Sequence, residues 1–135
     1  MARGGPDGVL MVQAVVTVEL EPVVPDVLSE VAAGGIGRYS GTAQTYQEVE
    51  VWTVTAKKVG ELKEIILISN DFPHTEFKVT IGSVVYCEDT IVRNIIPLVF
   101  GDLKLAAASV IKVEARSTDG TSITVDAVIT GKEIG

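Results

Sequence analysis

The residue types that most often perform catalysis are scarce in this sequence. It contains one histidine, His74, and one cysteine, Cys87. A nucleophilic cysteine needs a nearby base, and a zinc site needs several nitrogen or sulfur ligands. His74 follows Pro73 in a polar stretch, which is typical of a surface loop, whereas Cys87 lies in an alternating stretch that predicts a half-buried small side chain. We therefore predict neither a catalytic cysteine nor a zinc site.

Carboxylates are more numerous, and four of them fall in predicted loops. A calcium ion takes about six to eight oxygen ligands, which loop aspartates often provide. The chain has no D-x-D-x-D-G spacing, and a turn explains why Asp119 precedes Gly120. The loop aspartates therefore predict ordinary turns and no metal site. They are Asp71, Asp89, Asp102 and Asp119.

The glycine-rich stretch GGIGRYSG (34–41) has some likeness to a phosphate-binding loop. Such a loop ends in Gly-Lys-Ser/Thr and directly follows a strand, and this stretch does neither. We interpret it as a flexible connector. Because no nucleophile, base and orienting group can be assembled from the residues present, we predict a protein that is not an enzyme and binds no cofactor.

The composition favours a β protein and excludes several classes of partner. The chain has 135 residues, of which 47% are apolar, and its formal net charge is −7. This acidity disfavours nucleic acid, which attracts lysine and arginine, and it disfavours anionic membranes. No apolar run reaches the roughly 20 residues of a membrane-spanning helix. No cleavage-site pattern follows the apolar residues 9–20, so from these observations we expect no signal peptide and a soluble cytoplasmic protein.

Alternation of apolar and polar residues predicts about eight strands and no long helix. The repeat is clearest in 109–131, where we predict a hairpin at Asp119-Gly120. A second hairpin is predicted at Gly82-Ser83, and Pro97 favours an edge strand. Strands at intervals of about 8 to 15 residues indicate an all-β fold, an antiparallel β-sandwich of the jelly-roll type. The other predicted strands lie at 47–56, 62–69, 76–81, 84–88 and 90–100.

The stretch VLMVQAVVTVEL (9–20) predicts a separate, strongly apolar strand. Nine of its twelve residues are apolar, and Pro22 and Pro25 end it. We therefore divide the chain into an N-terminal tail, strand and connector at 1–45 and a β-sandwich domain at 46–135. The strand either completes its own domain or pairs with a free edge of a neighbouring subunit, and we favour the second. Its expected contact residues are Leu10, Val12, Val16, Val18 and Leu20.

Three aromatic residues are further candidates for this interface. Tyr39 and Tyr46 lie near the end of the connector, and Trp52 shares its alternating face with Glu48 and Glu50. An aromatic side chain on a polar face can anchor a partner or stack on a sugar. If the two faces of the strand are inverted, Trp52 is a core residue instead. Both interpretations of Trp52 stay open.

The second half of the chain carries three segments with a characteristic rhythm of strands and turns: LKEIILISND, TEFKVTIGSVVYCEDT and IKVEARSTDGTSITVDAVITGKEIG. Over roughly the last 75 residues, the chain resembles small β-sandwich modules of bacteriophage heads and tails. These include capsid decoration proteins and jelly-roll receptor or fibre domains. The resemblance implies a symmetric oligomer, often a trimer, bound to a virion surface, and it supplies no catalytic residues.

Two functions are compatible with these observations. The first is a structural assembly protein, a homo-oligomer that binds and stabilises a larger protein particle such as a phage capsid. The second is a monomeric β-sandwich that binds a carbohydrate or another small ligand through aromatic and acidic side chains. We favour the first because the strand at 9–20 needs a surface to cover its apolar face.

Overall fold

The computed structural model describes residues 29–135, which form eight strands in two antiparallel sheets of four. The predicted all-β sandwich is therefore confirmed. One short 3-10 helix, Phe72–His74, interrupts the strands. In chain order the strands are β1 (Glu30–Gly41), β2 (Gln47–Thr53), β3 (Val59–Ser69), β4 (Thr75–Ile81), β5 (Val84–Thr90), β6 (Ile96–Leu105), β7 (Val110–Ser117) and β8 (Ile123–Ile134).

The order of the strands defines a jelly roll. Sheet I has the order β1-β8-β3-β6, and sheet II has the order β2-β7-β4-β5. The first strand therefore pairs with the last, the second with the seventh, the third with the sixth and the fourth with the fifth. The chain is one long hairpin that bends at the predicted Gly82-Ser83 turn, and its successive strand pairs alternate between the two sheets. This winding is the jelly-roll topology.

Apolar residues on the inner faces of both sheets form the core. In β7 and in most of β8 every second residue is buried, as the alternation predicts. Removing this apolar surface from water stabilises the fold by about 25 cal/mol per Å². The largest fully buried side chains include Phe77, Leu62, Ile65, Leu67, Ile111, Ile123 and Ile129.

β2 departs from simple alternation because it contains a bulge. Its register against β7 shifts between Glu48 and Glu50. An extra residue in one strand turns the side chains that follow it to the opposite face. Val49 and Trp52 are therefore both buried, although strict alternation would place them on opposite faces. Of the two interpretations left open for Trp52, the structure therefore shows the core position.

Two predictions about local structure are wrong. Residues 34–41, predicted as a connector, belong to β1, which pairs with β8 from Glu30 to Gly41. The sandwich therefore includes residues that were assigned to the N-terminal region. The Asp119-Gly120 turn is not a hairpin, because it links β7 of sheet II to β8 of sheet I. Alternation shows which face of a strand is buried, but it carries no information about which sheet the strand joins.

Glycines let β1 approach β2 closely at one edge of the sandwich. A Cβ atom at Gly37 would lie 1.9 Å from the carbonyl oxygen of Val49. At Gly35 a Cβ atom would lie 2.7 Å from a carboxylate oxygen of Glu50. Because β1 and β2 are the outer strands of their sheets, this contact closes the sandwich along that edge. The closure explains why a glycine-rich stretch forms a strand here.

We expect Gly37→Ala to destabilise the protein. In an open strand position, alanine is more stable than glycine by roughly 0.5–1 kcal/mol. Here the added methyl group overlaps the Val49 carbonyl and forces β1 outward, at a cost of about 1–3 kcal/mol. Urea unfolding followed by Trp52 fluorescence measures the free energy of unfolding. Ala32→Ser, an exposed change on the same strand, is the control and should stay within about 0.5 kcal/mol; a Gly37→Ala variant as stable as the wild type would contradict the closure.

Candidate functional site

The large apolar side chains that stay exposed are concentrated on the edge opposite to β1 and β2. Seven of the ten such residues in the described chain lie on β5, on β6 or on the loop between them. β5 is the outer strand of sheet II, and β6 is the outer strand of sheet I. We call this set the apolar edge. Its members are Val84, Val85, Tyr86, Ile91, Ile95, Val99 and Leu103.

A cleft enters the sandwich at the apolar edge. The rings of Tyr86 on β5 and Phe100 on β6 meet edge to face, with their centroids 5.2 Å apart. Beside them lies a cleft of about 610 Å³, a size within the roughly 300–1,000 Å³ of small-molecule sites. We call it the β5–β6 cleft. Besides the two rings, its apolar lining includes Ile81, Val84, Leu103 and Leu105.

Neither strand of the apolar edge presents a regular ladder to a further strand. In β6, residues 100–102 lie opposite the single residue Lys63 of β3. Gly101 and Asp102 have positive φ angles of 61° and 64° there. β5 shifts its register against β4 twice, and β6 begins near Pro97, whose predicted position in an edge strand is confirmed. Bulges and prolines protect edge strands from indiscriminate pairing.

The outer face of sheet II is polar, and its charged groups bind one another. Arg116 donates hydrogen bonds to Glu76 at 2.7 Å and to Asp89 at 3.0 Å. Its guanidinium group lies 4.5 Å from the centre of the Tyr46 ring. The Tyr46 hydroxyl donates to the Asp89 carboxylate at 2.5 Å. Burial first, and this bond second, raise the pKa of Tyr46 far above its ordinary value. Tyr46 therefore attaches the β1–β2 loop to β5.

The outer face of sheet I carries a row of charges that alternate in sign across all four strands. Glu61 on β3 lies 2.8 Å from Lys104 on β6 and 3.6 Å from Lys132 on β8. Lys132 in turn lies 3.3 Å from Glu30 on β1. The hydrogen bond from Lys104 is the main cause that lowers the pKa of Glu61. Lys104, which also lines the β5–β6 cleft, is therefore already paired with a carboxylate.

Trp52 lies in the core, which decides between the two interpretations of this residue. It is 6% exposed, and its indole N–H donates to the Glu133 carboxylate at 2.9 Å. The same carboxylate oxygen accepts the backbone N–H of Thr55 at 3.0 Å. The bonds from Thr55 and then Trp52 lower the pKa of Glu133. Trp52 thus fixes β2 against β8 and is not available as a surface anchor.

The other residues predicted at the interface do not belong to the apolar edge. Tyr39 packs against the core, and its hydroxyl accepts the N–H of Ala43 at 3.1 Å. Tyr46 is bound to Asp89, as described above. The five residues predicted on the apolar face of the N-terminal strand lie outside the described residues. These are Leu10, Val12, Val16, Val18 and Leu20.

His74 connects two loops at one end of the sandwich. Its Nδ1 atom lies 2.9 Å from the Asp71 carboxylate, and its Nε2 atom lies 3.6 Å from the Asp119 carboxylate. Hydrogen bonding to Asp71, followed by the charge of Asp71, raises the pKa of His74. Between residues 29 and 135, no group of three or more histidine, cysteine, aspartate or glutamate side chains is placed to hold a metal ion.

Cys87 is half-buried and packs against the core, as the sequence predicts. Two of the aspartates predicted in loops lie in strands instead. Asp89 belongs to β5 and Asp102 to β6, and both have positive φ angles. Aspartate tolerates this left-handed conformation better than most residues. These two aspartates therefore occupy irregular positions within the edge strands.

Comparison with known protein families, with characterised proteins and with solved structures finds no match. Within the described part of the chain, no helix is long and apolar enough to cross a membrane. A jelly roll supports many unrelated functions, so the fold alone does not select one.

The sequence interpretation missed the apolar edge as a site, although one local signal was present. Val84, Val85 and Tyr86 are three consecutive apolar residues. Side chains of a strand point alternately to its two faces, so a run of this kind places apolar groups on both faces. A strand that is buried on both faces has the same pattern. Only the position of β5 at the edge of sheet II shows that these side chains remain exposed.

We expect the pKa of His74 to lie above its ordinary value of 6.5, because the neighbouring carboxylates stabilise the imidazolium ion. A group whose pKa is raised by folding stabilises the protein below its unfolded pKa, and this contribution is lost as the pH rises through the folded pKa. An NMR titration of the imidazole protons measures the value directly. Asp71→Asn should lower it clearly, and Asp119→Asn should lower it less. A pKa near 6.5 that is insensitive to Asp71→Asn would contradict the pairing.

Proposed function

We propose that this protein is a non-enzymatic assembly component, a homo-oligomeric jelly roll whose apolar edge is covered by other protein. The observation that carries the proposal is the concentration of exposed apolar side chains on β5, β6 and the loop between them. Scattered apolar residues are normal on a protein surface, but a concentration of them marks an interaction site.

Covering this edge would release free energy of the same order as the cost of association. Complete burial of a valine, leucine or isoleucine side chain contributes about 1.5–3 kcal/mol. The seven residues of the apolar edge are between 41% and 73% exposed, so roughly half of that contribution is still available from each. Their sum is comparable with the estimated entropy cost of association, about 4–15 kcal/mol.

The polar surfaces support the same conclusion by contrast. Several charges on the outer face of sheet II bind each other through Arg116, and several on sheet I form the row that includes Glu61. A group that already has a partner loses that interaction when it is recruited by a ligand. The apolar edge has the opposite character, since its side chains gain by being covered.

The resemblance to bacteriophage structural modules gives the proposal its specific form. In that form the protein is a decoration-type component, favoured as a trimer, that binds and stabilises a capsid shell at the virion surface. Jelly rolls occur in viral capsid proteins as well as in lectins, so the fold is compatible with this role by analogy. Residues 9–20 would be exchanged between subunits, which gives an apolar strand a partner and ties the oligomer together.

The β5–β6 cleft favours a second candidate function. Its volume of about 610 Å³ suits a small molecule, and Tyr86 and Phe100 offer aromatic faces at its wall. Under this alternative the protein is a monomeric β-sandwich that binds a carbohydrate or an apolar small ligand. The stacking residue would then be Tyr86, because Trp52 is buried.

The solution mass tests the proposal. Light scattering should give a closed oligomer for the full chain, and a trimer is favoured. A chain of residues 21–135 keeps every described strand, so it should retain β-type circular dichroism and should have the mass of a monomer. An oligomer of unchanged size after this truncation would refute strand exchange.

A full chain that is monomeric at all concentrations would refute the assembly function and favour the ligand-binding alternative. In that case a glycan array, probed with the wild type and with Tyr86→Ala, decides whether the cleft binds sugars. Tyr86 is 54% exposed, so its truncation should leave the fold intact.

A further inference from the structure

We propose that the β5–β6 cleft is the receptor for residues 9–20 of a neighbouring subunit. That the segment comes from a neighbouring subunit rests on the proposed function. That this segment fits this cleft rests on the lining of the cleft and on the composition of residues 9–20. Under this proposal the exchanged strand inserts its apolar face between the outer strands of the two sheets, beside Tyr86 and Phe100.

The lining of the cleft selects an apolar occupant. Its walls are formed by aromatic and aliphatic side chains, most of them on β5 and β6, and its polar groups are the Tyr86 hydroxyl and the side chains of Ser83, Ser109 and Lys104. Lys104 lies 2.8 Å from Glu61, so its positive charge is already balanced by a carboxylate. An occupant with many charges would lose its hydration without gaining partners.

The N-terminal segment has the complementary composition. Nine of the twelve residues at 9–20 are apolar, and Glu19 is its one charged residue. Every second residue from Leu10 to Leu20 is apolar, so an extended chain would present one continuous apolar face. Because the cleft is open to solvent on one side, it can cover one face of a strand and leave the opposite face at the surface. The other face of the segment includes Gln13, Thr17 and Glu19, which would remain at the surface.

The start of the described chain lies at the same end of the sandwich as the cleft. The carbonyl oxygen of Ser29 accepts the N–H of Gly135, and Glu30 pairs with Ile134. The strand pairing in sheet I places Leu105 at nearly the same height along the sheet as Glu30 and Ile134, and Leu105 lines the cleft. Residues 21–28 can span up to about 26–29 Å when extended, whereas sheet I is only about 14 Å across between its outer strands. The linker is therefore long enough to reach past its own sheet to a neighbour.

The other outer strand of sheet I, β1, is a poorer receptor. β1 pairs with β8 without interruption over twelve residues, so its backbone is more regular than that of β6. However, the carboxylate of Glu50 lies against Gly35 and Gly37 on the inner face of β1. An apolar strand added there would cover a carboxylate, which is unfavourable unless the charge is paired. An apolar strand therefore fits the β5–β6 cleft better than it fits the edge of β1.

The bulges of the apolar edge determine how the segment would be held. Residues 100–102 interrupt β6, and β5 shifts its register twice. A long backbone ladder with the incoming strand is excluded at these points, so most of the binding would come from side-chain burial in the cleft. This makes docking dependent on the shape of the segment, which protects the edge from pairing with unrelated strands.

Cross-linking between defined cysteines tests the proposal in the full chain. In a Cys87→Ala background, one chain carries Val16→Cys and a second, differently tagged chain carries Leu103→Cys. The two chains are co-expressed and treated with a short bis-maleimide linker, which tolerates differences in strand register. Leu103 is 41% exposed, so the change is mild, and Tyr86→Cys serves as a second acceptor position. The matched control replaces the acceptor by Ile36→Cys, an exposed apolar position on β1.

We expect a cross-linked dimer of the two tagged chains, several-fold more abundant than with the Ile36→Cys control. If light scattering shows the oligomer intact but cross-linking at Leu103 and Tyr86 stays at the control level, the cleft is not the receptor, although the proposed assembly function stands. If cross-links form only when both cysteines are on one chain, the segment occupies its own cleft and exchange between subunits is refuted. These two failures are thereby distinguished.

Discussion

The close approach of β1 to β2 is the constraint on which the rest of the sandwich depends. Glycine at position 37 leaves room for the Val49 carbonyl, and a Cβ atom there would lie 1.9 Å from it. Because the chain is wound as one long hairpin, closing the edge formed by β1 and β2 places β5 and β6 together at the opposite edge. The bond between Trp52 and Glu133 then fixes β2 against β8 inside the sandwich. The geometry of one edge thus determines the position of the other.

The two edges of the sandwich differ in chemistry. The edge formed by β1 and β2 stabilises the fold, whereas the apolar edge is the one that we propose to be covered by other protein. At the closed edge, glycines bring the backbones of β1 and β2 together, and fewer large apolar side chains are exposed. At the apolar edge, Tyr86 and Phe100 meet across a cleft, and large side chains on both strands remain exposed. The bulge at 100–102 keeps β6 from pairing freely with other strands. An edge that is apolar yet irregular agrees with the proposed role as a site for one specific partner.

Local sequence patterns were sufficient to predict the fold class but not the candidate site. Alternation identified the strands and their buried faces because burial of one face is a local property of a strand. It failed at Asp119-Gly120, since which sheet a strand joins depends on distant residues. The strand around Gly37 was mistaken for a connector because glycine lowers strand propensity, and the Val49 carbonyl that requires a glycine there is not visible in the local sequence. Exposure of Val84 likewise depends on the sheet order.

Hydrogen exchange tests most directly whether residues 1–20 cover the apolar edge, as we propose. Backbone amides at an uncovered strand edge exchange through small local openings, whereas covered amides are protected. Mass spectrometry would compare the full chain with residues 21–135 at equal concentration. We expect slower exchange in the full chain at 84–87 and 103–105, and no change along β1. Equal exchange of the two proteins at 84–87 and 103–105 would show that residues 1–20 leave this edge uncovered and would contradict the account.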